Sequence, residues 1–450
     1  MIRTDSRKVK PGDTFIALKG ISSNGDEYIG KAIENGAVKI VCENGTYPVE
    51  TINTPDTRKY LEEALRNEYG KLIDEMTLVG VTGTNGKTTT CYLISTALNL
   101  LGIKCAYIGT IGFYMGEKVR DLPNTSVDIC SLYELLLEAY EKGFKHVALE
   151  ASSQGMDMGR LNTLKFDQAI FTNLTEDHLD YHKTMENYGA AKQWLFRNLK
   201  EGGKAIVCAD DGYKDMFLFD DNDNYTYGLK DGDYRALGFE FKNGTDLLYA
   251  AGGREYSVHS SMIGAYNVSN LLAAVASLNL MGIEIERINE IVPALKTPDG
   301  RCEIMHHGTN TIVIDYAHTP DAIDKIISCA EGFTENNIYA VFGCAGDREK
   351  EKRPKMTEIV LSRCARGIIT VDDIHSENPD NIVRDMLRVN THTNYDVCLD
   401  RKIAIHMGID LLEEGDTLLV LGKGHEDFII AKGGNIPHND KKEIKLYLGL

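Results

Sequence analysis

The stretch Thr77-Leu78-Val79-Gly80-Val81-Thr82-Gly83-Thr84-Asn85-Gly86-Lys87-Thr88-Thr89 decides the fold. Thr77 to Val81 is an apolar, β-branched run, as a strand buried on both faces requires. From Thr88 to Leu101 the pattern is helical, and Gly102 stops it. The loop between them is glycine-rich, so backbone N–H groups can close around phosphate oxygens with the positive end of the helix behind them. Lys87 would reach the β- and γ-phosphates, and Thr88 would hold magnesium. The general P-loop pattern wants glycine at 81, where this chain has Val; its glycines at 80 and 83 make a shorter variant.

The alternation continues outward. Strands are expected at Cys105 to Ile108, Val147 to Glu150 and Ala169 to Thr172, with helices between them, which makes a parallel α/β core. Residues 223 to 263 read as short antiparallel strands, followed by a helix from Val268 to Met281 that Gly282 ends. Upstream lies a strand at Thr14 to Leu18 and a short helix from Tyr28 to Asn35, closed by Gly36. After the turn-rich joint Thr297-Pro298-Asp299-Gly300 a new series begins, with strands at Thr311 to Asp315, Ile338 to Phe342, Gly367 to Val371 and Thr417 to Leu421. A chain of 450 residues also exceeds what one core organises. The fold class is therefore α/β in three domains: a small N-terminal α/β domain over 1–75, a central P-loop ATPase-like parallel-sheet domain over 76–298, and a C-terminal Rossmann-like α/β domain over 299–450.

Composition narrows the partners. The net charge of −18 and the lack of any Lys/Arg block speak against nucleic acid. No run approaches the ~20 apolar residues of a membrane span. The opening Met1-Ile2-Arg3-Thr4-Asp5 turns polar at once, so no export signal is expected and the compartment is cytoplasmic. Ten cysteines are scattered without a CxxC pair, which suits small buried hydrophobes in a reducing compartment rather than zinc or disulfides. Trp194, the single tryptophan, reads as core packing. A monomer is expected.

Further motifs give the loop a context. They are Asp5-Ser6-Arg7-Lys8-Val9-Lys10-Pro11-Gly12-Asp13; Glu150-Ala151-Ser152-Ser153-Gln154-Gly155 with Arg160; Asp177-His178-Leu179-Asp180-Tyr181-His182 with Tyr188-Gly189-Ala190-Ala191-Lys192; Tyr266-Asn267-Val268-Ser269-Asn270; Asp299-Gly300-Arg301; and Asp315-Tyr316-Ala317-His318-Thr319-Pro320-Asp321. Together with Thr84-Asn85-Gly86-Lys87-Thr88-Thr89 they resemble, in order and over nearly the whole chain, the Mur ligase family. Gly343-Cys344-Ala345-Gly346-Asp347-Arg348 with Lys352-Arg353-Pro354, and Gly422-Lys423-Gly424-His425-Glu426-Asp427, are similar to the branch that makes the UDP-N-acetylmuramyl tripeptide.

The resemblance implies an ATP-dependent, ADP-forming amide ligase of peptidoglycan precursor synthesis. Its substrates would be UDP-N-acetylmuramoyl-L-alanyl-D-glutamate and a free amino acid, joined through an acyl phosphate. Gly83, Thr84, Asn85, Gly86, Lys87, Thr88, Thr89, Asn267, Arg301, Asp315 and His318 would bind ATP. Ser6, Asn124, Thr125, Ser126, Ser152 and Arg160 would bind the UDP-sugar peptide, although Thr125-Ser126-Val127 replaces the usual Thr-Thr-Pro. Lys87, Glu150, His178 and Lys192 would be catalytic, with Thr88, Glu150, His178 and a carbamate on Lys192 holding magnesium. Lys192 would thus be N6-carboxylysine; burial lowers an amine's pKa, and only the neutral amine adds CO2.

Arg348, Asp372, Asp373, Gly422 and Glu426 would receive the amino acid. Family members that use meso-diaminopimelate carry Asp-Asn-Pro-Arg after the strand that here ends at Val371. This chain continues Asp372-Asp373-Ile374-His375-Ser376-Glu377-Asn378-Pro379, with no Arg to grip a distal carboxylate. The nearby acids Asp372, Asp373 and Glu377 favour a distal ammonium, as in L-lysine or L-ornithine. Two other readings stand beside this one: a related amide ligase of a specialised pathway, such as a folylpolyglutamate or cyanophycin type, and a non-catalytic nucleotide-binding paralogue. The N-terminal Asp5-Ser6-Arg7 block speaks against a folate ligase, and intact Lys87, Glu150, His178 and Lys192 against a retired enzyme.

Overall fold

The structure is a computed structural model that describes residues 1–20, 24–241 and 244–450. Near the N-terminus the short strands Ile2–Arg3, Thr14–Ile16, Lys39–Cys42 and Glu50–Asn53 lie side by side, all parallel. The strand expected to reach Leu18 stops at Ile16, and the helix expected over 28–35 is Ile29–Glu34 behind a 3-10 turn at Gly25–Tyr28. Phe15, Ile40 and Cys42 bury one face of this sheet against Ile29 and Ala32.

Among the described residues the central sheet has eleven strands. Its parallel heart runs Asp223–Gly228, Leu199–Cys208, Phe166–Phe171, Thr77–Thr82, His146–Glu150, Cys105–Gly109. Antiparallel ribbons extend both edges: Tyr234–Phe241, Thr245–Ala251 and Arg254–Ser260 on one side, Gly112–Met115 and Glu117–Arg120 on the other. One expectation is corrected here. Asp223–Gly228 is a parallel strand of this mixed sheet. The antiparallel character of 223–263 therefore starts only at Tyr234. The Leu199–Cys208 strand escapes the sequence reading because its first half, Leu199-Lys200-Glu201-Gly202-Gly203-Lys204, is polar and glycine-bearing.

The helices Lys87–Leu100 and Ala265–Leu280 cover one face of this sheet, where Leu93 and Ile94 share a core with Leu271 and Val275. The helix Met185–Phe196, capped by Thr184 (Asn187 N donates to Oγ1, 3.2 Å), covers the other with Leu195 and Phe196. Gly80 lets that helix approach: a Cβ there would lie 2.5 Å from Leu195 Cδ1. Trp194 packs edge-on against Phe166 with ring centres 6.4 Å apart.

In the C-terminal sheet Glu303–His307 runs antiparallel at one edge. Asn310–Asp315, Thr417–Leu421, Ile338–Phe342, Arg366–Ile369 and Tyr395–Val397 follow in parallel. A separate hairpin, Phe428–Ala431 with Gly434–Pro437, stands beside it. All ten cysteines are free and all but Cys398 are buried. Among the described residues no helix is long and apolar enough to cross a membrane.

Candidate functional site

The phosphate loop leaves the Thr77–Thr82 strand at the middle of the central sheet and ends on the helix beginning at Lys87. Gly83 and Gly86 have φ of 145° and 87°, conformations that a side chain disfavours. The loop is braced from the neighbouring strand end: Thr172 Oγ1 donates to Asn85 O (2.6 Å), and Asn85 N donates to Asn173 Oδ1 (2.9 Å). Lys87 Nζ donates to Gly83 O (2.9 Å) and Thr84 O (2.8 Å), folded back over its own loop. Burial lowers its pKa, against the pull of Glu150 and Asp177.

A cavity of about 440 Å³ opens on one side of the loop. Asn85, Gly86, Thr89, Asn267, Arg301, Asp315 and His318 line it, drawn from the central and C-terminal sheets. Arg301 stacks over the Tyr316 ring, 4.3 Å from its centre, and its buried Nε has no partner among the described residues. Arg301 Nη2 also reaches Thr88 Oγ1 at 3.5 Å. Asp315 is already engaged, since Cys302 N (2.6 Å) and Ala317 N (2.7 Å) both donate to it. Burial raises its pKa. The helix Pro320–Glu331 is capped by Thr319.

On the opposite side a smaller cavity of about 140 Å³ gathers Lys87, Asn124, Thr125, Ser126, Ser152, Arg160, His178 and Lys192. Ser126 is its knot: its hydroxyl donates to Glu150 O (3.0 Å) and accepts from Ser152 N (3.1 Å), while Arg160 donates to its carbonyl (2.6 Å). Glu150, fully buried, receives Thr88 Oγ1 (2.9 Å), Thr110 N (2.9 Å), Thr110 Oγ1 (3.1 Å) and the Tyr107 hydroxyl. Lys192 is buried with its ammonium 2.8 Å from Gly83 O and 4.3 Å above the Tyr188 ring. Burial, with repulsion from Lys87, drives its pKa well down, so the neutral amine is accessible.

His178 has a φ of 55° and keeps 45% of its side chain open, beside the lining of the smaller cavity. Desolvation, with the nearby cations Lys192 and Lys87, pushes its pKa down to about 4 against the neighbouring Asp177 carboxylate. Asp177 is held down to about 2: burial opposes ionisation, but His178, Lys352 and His318 outweigh it. The donors Thr88 and Glu150 are hard oxygens 2.9 Å apart, a set that fits magnesium.

The residues expected to receive the amino acid lie apart from both cavities. Arg348 is exposed in its loop, and Ser6 is buried in a 3-10 turn of the N-terminal sheet region. Asp373 and Glu426 share the ammonium of fully buried Lys423 (Asp373 Oδ1 at 2.6 Å), with Asp372 Oδ1 at 4.0 Å. Glu377 is taken by Arg353, through Nη1–Oε1 at 2.9 Å and Nη2–Oε2 at 2.7 Å. The charge argument from Asp372, Asp373 and Glu377 is thereby corrected: Glu377 belongs to Arg353, and one ammonium offsets part of the rest. His375 has a φ of 49° and its N–H donates to Ile430 O (2.9 Å).

The motifs also contain residues whose part emerges only from their contacts. Tyr188 carries Lys192, Asp177 meets Lys352 at 3.8 Å, and Asn270 accepts Thr90 Oγ1 at 3.3 Å. Thr110 and Tyr107, the partners of Glu150, lie outside any motif, and no sequence signal marked them.

The comparisons with known proteins agree with this architecture. Residues 1–69 match the Mur ligase family catalytic domain, 81–278 the Mur ligase middle domain, and 300–424 the Mur ligase glutamate ligase domain. The UDP-N-acetylmuramoyl-L-alanyl-D-glutamate–2,6-diaminopimelate ligase of Aquifex aeolicus is 38% identical, over 100% of this chain and 93% of the relative. A ligase of the same name, number 1 of Clostridium acetobutylicum, is 37% identical over 98% and 92%. A solved structure of a UDP-N-acetylmuramoyl-L-alanyl-D-glutamate–2,6-diaminopimelate ligase superposes with a TM-score of 0.69 at 30% identity, covering 100% of this chain and 94% of that one. MurF ligase from Thermotoga maritima, solved with ADP, shares the fold with a TM-score of 0.74 at 20% identity, over 100% and 97%. This chain belongs to the Mur ligase family.

Proposed function

We propose that this protein is an ATP-dependent, ADP-forming ligase that joins a diamino acid to the D-glutamate of UDP-N-acetylmuramoyl-L-alanyl-D-glutamate in the cytoplasm, in peptidoglycan precursor synthesis. The observation that carries the reading is the loop between two cavities: Asn85, Gly86 and Thr89 face the larger one, and Lys87 the smaller. A nucleotide in the first and a carboxylate in the second would meet at Lys87. The carboxylate oxygen would attack the γ-phosphorus and ADP would leave; the incoming amine would then attack the acyl carbon and phosphate would leave.

Lys87 neutralises charge on the transferring phosphoryl group, where positioning and electrostatics supply most of the catalysis. Thr88, Glu150, His178 and carbamylated Lys192 would hold magnesium, which when bound neutralises phosphate charge. Asn267, Arg301 and His318 close on the nucleotide; Thr125, Ser126, Ser152 and Arg160 orient the peptide end, and Ser6 the uridine end. Arg348, Gly422 and Glu426 would receive the common amino-acid head.

The relatives' names specify 2,6-diaminopimelate. One observation favours a simpler diamino acid, lysine or ornithine: His375 stands among Asp372-Asp373-Ile374-His375, where an arginine fork is absent. Phosphate release from ATP with UDP-muramyl-L-alanyl-D-glutamate and a panel of diamino acids tests the reaction. Absence of release with every member would end this reading.

A further inference from the structure

We propose that Lys423 is a positioning residue for the amino-acid site, fixing Asp373 and Glu426 at the distance and charge the incoming diamino acid requires; this rests on the ligase reading above. Its side chain is wholly inaccessible, and its ammonium is committed to Asp373 Oδ1 at 2.6 Å and to Glu426 Oε2, with Asp372 Oδ1 at 4.0 Å. A lysine so enclosed cannot itself greet a substrate. It acts on the groups that hold it.

Those groups come from elements far apart in the chain. Asp373 Oδ1 also accepts the N–H of Ile430 (2.8 Å), tying in the Phe428–Ala431 strand, and Gly346 N donates to Asp373 O (2.7 Å). Tyr316 donates to the other oxygen of Glu426 (3.4 Å), and the same Tyr316 ring carries Arg301 in the wall of the nucleotide cavity. Gly422 and Gly424, with φ of 110° and 52°, seat Lys423 in a loop where a Cβ on either neighbour would overlap Asp372 or Gly300. One ammonium thus joins the 372–373 turn, the 422–426 loop and, through Tyr316, the nucleotide wall.

Three carboxylates against one ammonium leave this corner net negative. Burial opposes the charge on Lys423, but Asp372, Glu426 and Asp373 outweigh it and raise its pKa, so it stays charged. Without it the carboxylates repel and part. The diamino acid then loses the position in which they are held.

The test is steady-state kinetics of Lys423→Met, Asp373→Asn and the double variant, with ATP, UDP-muramyl-L-alanyl-D-glutamate and the diamino acid the wild type uses best. Wild-type turnover establishes the ligase reading first, so the two claims fail separately. We expect KM for the amino acid to rise about tenfold or more in each single variant, and KM for ATP and the UDP substrate to stay within about twofold. The double variant should show less than the product of the two effects, because both remove one shared interaction. An unchanged amino-acid KM in either single variant, or an equal rise in all three KM values, overturns the proposal. Should Lys423→Met not fold, Lys423→Arg, which keeps the charge but alters its reach to Asp373 and Glu426, decides by the same criteria.

Discussion

The side-chain amide of Asn85 donates to Asp321 Oδ2 across 2.9 Å, joining the phosphate loop of the central sheet to the first turn of the helix Pro320–Glu331. Lys325 holds the same carboxylate oxygen at 2.8 Å. Two ion pairs span the same divide, Glu176 with Lys355 at 2.8 Å and Asp177 with Lys352 at 3.8 Å.

This link predicts that Asp321→Ala loosens the closed nucleotide cavity. KM for ATP should rise roughly threefold to tenfold, with thermal stability changed by less than about 1 kcal/mol, as for one part-exposed hydrogen bond. Initial rates over an ATP series, beside a melting curve, check it; an unchanged KM rejects the link.

Lys87→Ala should abolish ligation while the chain stays folded. A cation on the transferring phosphoryl group supplies about 3 kcal/mol or more, so turnover should fall at least ~100-fold. Circular dichroism with phosphate release measures both. Near-normal turnover would remove the loop from the mechanism.

Lys192 should carry a carbamate, formed as its neutral amine bonds to CO2 and one proton leaves. ¹³C NMR of protein equilibrated with labelled bicarbonate should show a carbamate signal that Lys192→Ala lacks. Short carboxylic acids should restore part of the variant's activity by placing an anionic oxygen in the vacated space. A silent spectrum together with a fully active Ala variant would overturn this.

Glu377 is held down to about 2, chiefly by its hydrogen bonds to Arg353, so it supplies stability above its ordinary pKa of 4.5 and loses it as pH falls towards 2. Glu377→Gln should therefore destabilise at pH 7 by about 2 kcal/mol, since it strips a partner from fully buried Arg353. The gap from wild type should narrow as pH drops from about 4.5. Urea titrations at stepped pH report it; a gap that widens towards acid refutes the assignment.

Among diamino acids, lysine or ornithine should give a higher kcat/KM than meso-diaminopimelate, because neither His375 nor Ser376 reproduces a guanidinium fork. Parallel specificity constants settle this, and a clear preference for meso-diaminopimelate rejects it.

What was legible in the sequence follows from what leaves a local trace. Gly83 and Gly86 declare themselves because positive φ restricts residue type at single positions, and Gly102 and Gly282 mark helix ends for the same reason. Lys192 does not announce its burial, because that depends on the helix Met185–Phe196 lying on strands far upstream. Asp373 and Lys423 stand fifty positions apart, so their pairing, and the loss of Glu377 to Arg353, had no local signature. The parallel pairing of Asp223–Gly228 was hidden likewise, since neighbours in a sheet are chosen by the crossovers between them.

Gly80 touches no substrate in this reading, yet any side chain there would press on Leu195 and lift the helix that carries Lys192 away from the loop. The reach of one amine is thus fixed by an absent methyl group on the face of the strand that the helix covers. In a mutational tolerance map, position 80 should be as unforgiving as Lys87, and Gly80→Ala should be rescued by trimming Leu195 rather than by any change among the residues of the two cavities.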